Sequence, residues 1–83
     1  MITADKVLNV KGLACPMPIV KTKKAMEELF PGKILEIQAT DRGFKADLEA
    51  WTENAGHQFL GTIEENSVWK HYVQKASDVE EKQ

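Results

Sequence analysis

The chain has 83 residues, 42% hydrophobic and 29% charged, with a formal net charge of −2. A domain this small buries only roughly 60% of its unfolded-chain surface, which leaves no room for a deep enclosed cavity and puts any chemistry near the surface. The acidic balance lacks the basic field of a nucleic-acid binder, no window reaches the roughly 18 apolar residues that span a bilayer, and Met1 to Lys6 carries no apolar leader, so a cytoplasmic protein is expected, with neither nucleic acid nor membrane as a direct partner.

Val7-Leu8-Asn9-Val10 is a short, β-branched apolar run closed by Gly12, which predicts a first strand. After Cys15-Pro16-Met17-Pro18 the period changes. Ile19, Thr22, Met26 and Leu29 recur at three- and four-residue spacing, with Lys21, Lys24 and Glu28 on the other side, and Pro31-Gly32 stops the resulting amphipathic helix. From Lys33 to Thr40, Leu35, Ile37 and Ala39 alternate with Glu36 and Gln38, the period-2 pattern of a half-buried strand. Asp41 is a candidate cap for a second helix whose stripe is Phe44, Leu48, Trp51 and Ala55, ended by Gly56. His57 to Glu64 and Val68 to Lys75 read as strands of an antiparallel hairpin turning through Glu65-Asn66-Ser67. Residues 1–76 thus form one βαβαββ domain, an α/β (α+β) two-layer sandwich with two helices on one face of a four-stranded mixed sheet. Ser77 to Gln83 is a polar tail expected to be disordered.

Cys15 is the only cysteine, so an intramolecular disulfide, a CxxC redox pair and a cysteine-built zinc site are all excluded. His57 and His71 are expected to be ordinary strand residues rather than ligands, and no metal or organic cofactor is called for. A lone cysteine is commonly a buried structural residue. The position of Cys15 argues for a second reading: it stands between a strand and the amino-terminal end of a helix, where free backbone N–H groups and the helix dipole favour the nucleophilic thiolate. Pro16 and Pro18 push the residues before them toward extended backbone, so they mount Cys15 stiffly. Either Cys15 is the N-cap with Pro16 first in the helix, or Met17 is the N-cap and the helix begins at Pro18, the second being preferred. Lys21, Lys23 and Lys24 are either a solvated face or a positive field that stabilises a persulfide anion and attracts an acidic partner. With no resolving cysteine, sulfur bound to Cys15 must leave by attack from another molecule's nucleophile, which fits a carrier and not an internal dithiol switch.

The run Leu8-Asn9-Val10-Lys11-Gly12-Leu13-Ala14-Cys15-Pro16-Met17-Pro18 resembles the Leu-Asp-x-x-Gly-x-x-Cys-Pro-x-Pro signature of the TusA (SirA-like) sulfur-carrier family. The likeness continues through Gly32, Asp41, Asp47, Trp51 and Gly56-His57, over about residues 6 to 75, with Asn9 where the signature commonly has Asp. The resemblance implies a sulfurtransferase-type carrier rather than an independent catalyst. In it Cys15 would receive a persulfide from a cysteine desulfurase or rhodanese-type donor. The acceptor would be DsrE-like or another carrier, in tRNA thiolation, molybdenum-cofactor assembly or sulfur oxidation. The competing expectation is an RNA- or protein-binding regulatory module with an incidental Cys15, because the carrier fold is similar to the carboxy-terminal domain of translation initiation factor three.

Overall fold

The computed structural model describes residues 4–14 and 16–76; Cys15 and the tail 77–83, on which two of the sequence expectations fall, lie outside the described residues. The elements follow as β1 (Lys6–Val10), α1 (Met17–Glu28), β2 (Ile34–Ala39), α2 (Phe44–Ala55), β3 (Gln58–Glu65) and β4 (Val68–Gln74). They build a four-stranded sheet in the order β1-β2-β4-β3. β1 and β2 are parallel, in register from Lys6 opposite Leu35 to Val10 opposite Ala39, and β4 is antiparallel to both β2 and β3. The mixed sheet expected from the element order is therefore present.

β2 alternates as its sequence requires, with Leu35, Ile37 and Ala39 fully buried. These side chains join Val10, Val73, Ala25 and Met26 of α1, and Phe44 and Leu48 of α2 in one core, which puts both helices on the same face of the sheet. At about 1.5–3 kcal/mol for each large apolar side chain taken from water, this contact face is what holds two twelve-residue helices that would be marginal alone. Thr22 is buried within it and donates its hydroxyl to the Pro18 carbonyl at 2.8 Å, so its polar atom is satisfied without leaving the helix.

Three local expectations are corrected. Asp41 does not cap α2: the N-cap is Gly43, and Asp41 contributes its backbone carbonyl to the Phe44 N–H at 3.3 Å, because Arg42-Gly43 add a turn before the helix starts. In the stripe of α2, Thr52 is buried one turn after Leu48, whereas Ala55 is exposed at the last helical residue, where the chain turns away through Gly56 at φ 85°. The helix start of α1 falls between the two sequence readings, with Pro16 at the N-cap and Pro18 at the second helical position, whose N–H would have had no intrahelical partner in any case.

The hairpin turns through Asn66 and Ser67 with φ values of 55° and 66°, the two positive angles of a type I′ turn. His71 of β4 is a strand residue, as expected, but it is fully buried on the helix-covered face, with ring centroids 5.3 Å from Phe44 and 6.4 Å from Phe59. Its Nδ1 lies 2.8 Å from the Thr62 hydroxyl, while Nε2 has no partner among the described residues. Burial, reinforced by the Lys45 ammonium, pushes its pKa down to about 4.

Candidate functional site

The parallel pairing of β1 and β2 brings their carboxy-terminal ends together, and each strand is followed by a helix. The amino-terminal ends of α1 and α2 therefore lie at the same end of the sheet as the loop 11–16, and the positive ends of two helix dipoles meet there. α1 has no acidic residue in its first turn to offset this.

The loop is tied down on both sides of position 15. The Lys11 N–H donates to Asn9 Oδ1 at 2.9 Å, the Gly12 N–H to Thr40 Oγ1 at 2.9 Å, and the Leu13 N–H to the Val10 carbonyl at 3.2 Å. Beyond the cysteine, the Met17 N–H donates to the Ala14 carbonyl at 3.0 Å and the Val20 N–H to the Pro16 carbonyl at 3.1 Å. Asn9 thus accepts through its amide oxygen the bond that a carboxylate oxygen of an aspartate would accept in its place. Gly12 adopts φ +81°, and a Cβ there would meet no atom within 4 Å, so backbone conformation and not space requires glycine.

Leu13 packs against the core, whereas Ala14 and Pro16 are both exposed. Met17 and Val20 add an exposed apolar rim at 43% and 49% accessibility. This rim was not singled out in the sequence, because the side to which Met17 and Val20 face is fixed only by how α1 packs. The contribution of Thr40 was missed as well, since nothing local links it to a glycine 28 residues earlier.

Pro16 and Pro18 have no N–H, and that of Met17 donates to the Ala14 carbonyl, so none of these three residues offers a free donor at the start of α1. The three lysines do not act as one cluster. Lys21 and Lys24 border a groove of about 180 Å³ beside β1, with Lys6, Leu8, Ala25 and Glu28. Lys23 lies on the other side of α1, in a groove of about 230 Å³ shared with Met26, Trp51, His57 and Lys75. His57 precedes β3, its Nδ1 accepts the Ala76 N–H at 3.0 Å, and burial followed by the Lys75 charge lowers its pKa. Among the described residues no three His, Cys, Asp or Glu side chains are grouped to hold a metal ion, and no helix is long and apolar enough to cross a membrane.

The family described as Sulfurtransferase TusA matches residues 6–75. The chain is 57% identical, over 87% of its own length and 96% of the other, to the "Putative sulfur carrier protein YrkI" of Bacillus subtilis. It is 54% identical over 94% of its length to the "Putative sulfur carrier protein YrkF" of the same organism, of which it spans only 42%. Its fold is similar, at a TM-score of 0.76 and 23% identity, to the crystal structure of a SirA-like protein from Desulfitobacterium hafniense, covering 86% of this chain and 97% of that one. With a family match over nearly all the described residues, the chain belongs to the TusA sulfurtransferase family of sulfur carriers.

Proposed function

We propose that residues 1–76 act as one carrier domain in which Cys15 holds sulfur as a persulfide between a donor and an acceptor protein. The Cys15 thiolate attacks the terminal sulfur of a donor persulfide. A Cys15 S–S bond forms, the donor S–S bond breaks, and the donor cysteine leaves as a thiolate, with no net oxidation. Attack by an acceptor thiolate on the same terminal sulfur reverses these roles and returns Cys15 as a thiolate. Gly12, Pro16 and Pro18 form the mount, and the dipole of α1 favours the anion at each stage.

The observation that carries this reading is the loop: it is pinned to Val10 and Thr40, and the residues flanking position 15 are exposed, so a partner can dock on this segment without unfolding it. The single cysteine favours transfer between proteins over an internal disulfide. The donor is a cysteine desulfurase or rhodanese-type protein, the acceptor a DsrE-like or similar carrier, and the setting the cytoplasm, in tRNA thiolation, molybdenum-cofactor assembly or sulfur oxidation. Intact mass after incubation with a desulfurase, cysteine and pyridoxal phosphate tests this. A reducible gain of ~32 Da on wild type and none on Cys15→Ser is expected. No gain from either donor type on a protein whose Cys15 still alkylates would favour the regulatory binding module.

A further inference from the structure

The two edges of the sheet are built differently. On β3 the pairing shifts between Phe59 and Gly61, and the strand ends on Glu64-Glu65, two devices that discourage another strand from adding. β1 pairs without a bulge. Its Asp5 N–H points inward to the Ile34 carbonyl at 2.8 Å. Within the strand, Lys6 and Leu8 stand opposite Leu35 and Ile37 and turn their backbone groups toward β2, and because these groups alternate sides along a strand, the N–H and C=O groups of Val7 and Asn9 face outward. Lys6 would ordinarily guard such an edge, but its ammonium is drawn up to Glu28 of α1 at 3.2 Å.

Above this edge lies the groove floored by Leu8 and Ala25 and walled by Lys21 and Lys24. Neither lysine has a carboxylate within ion-pair distance among the described residues. The other acid at this edge, Asp5, is occupied by the Ile34 N–H at 2.9 Å. Three lysines against one glutamate leave the groove positive, and Val7, 54% exposed, offers an apolar contact on the opposite face of the same strand.

We propose that the outer edge of β1 takes up an extended, acidic segment of a partner protein as an added strand. Alternate side chains of that segment face α1, where carboxylates meet Lys21 and Lys24, and the intervening ones cover Val7 and Asn9. Since β1 runs directly into the segment whose sequence carries Cys15, a strand paired along it extends toward that segment. The inference rests on the carrier reading, for which it names the form in which a donor or acceptor presents its thiol.

The full chain, labelled with nitrogen-15, is titrated with the synthetic peptide acetyl-Glu-Val-Glu-Val-Glu-Val-amide and with its lysine counterpart, while amide hydrogen exchange is read by NMR. Saturating acidic peptide is expected to slow exchange of the Val7 and Asn9 amides about tenfold or more and to leave β3 unchanged. The lysine peptide should have no effect, and Lys21→Glu with Lys24→Glu should abolish the protection. Three results would overturn the proposal: a response confined to α1 with β1 amides exchanging as in the free protein, an equal response to the lysine peptide, or protection that rises with protein concentration alone, which would mean that a second copy occupies the edge. Sulfur uptake by Cys15, read separately by mass, distinguishes the two failures. Uptake without β1 protection sinks strand docking alone, and protection without uptake sinks the carrier reading while supporting the docking edge.

Discussion

Lowering the pH should destabilise this protein through one buried imidazole. His71 is 1% exposed, and its pKa is held near 4 in the folded chain against an ordinary 6.5. Between those values the unfolded chain binds a proton that the folded chain refuses, so the stability contributed by neutral His71 is complete above pH 6.5 and is lost as the pH falls. The full loss is about 3 kcal/mol, at 1.36 kcal/mol for each pKa unit, of which about 2 kcal/mol is gone by pH 5. The charged group facing His71 is Lys45, which adds to the penalty of burial, and the other ring neighbours Phe44 and Phe59 offer no counter-charge. His71→Phe keeps a ring in that aromatic cluster and removes both the titration and the Nε2 that has no partner among the described residues, whose burial costs about 1–3 kcal/mol. The half-buried Thr62 hydroxyl can turn to water. Urea denaturation followed by tryptophan fluorescence at pH 7 and pH 5 measures the effect. Wild type should lose about 2 kcal/mol more than His71→Phe over that interval. Equal losses in the two proteins, or a His71 ring that titrates near 6.5 by NMR, would refute the reasoning.

Two backbone positions give further expectations. Gly12→Ala should cost about 1–2 kcal/mol in the same denaturation assay, because φ +81° is disfavoured for any residue with a Cβ even though the space around it is open; a neutral result would mean that the loop can relax. Ser67→Gly should stabilise by about 0.5–1 kcal/mol, since φ 66° in a two-residue hairpin turn suits glycine, and part of the gain is returned as unfolded-state entropy. A loss of stability would show that the Ser67 side chain contributes a contact that outweighs the strain.

The element order was legible in the residues because it rests on local rules. The alternation of Leu35, Ile37 and Ala39, the helical stripes ended by Pro31-Gly32 and Gly56, and the Gly-x-x-Cys-Pro-x-Pro run all act within a few residues of one another, where periodicity and backbone preference decide. Long-range pairing was not legible. Only the tertiary structure joined Gly12 to Thr40, separated Lys23 from Lys21 and Lys24, and laid β4 between β2 and β3, thereby burying His71 opposite Ile37. The physical reason is the same in each case. A residue's spacing determines which side of its own element it occupies, but what it meets there depends on how the sheet orders its strands, and that order is chosen by burying all the apolar faces at once.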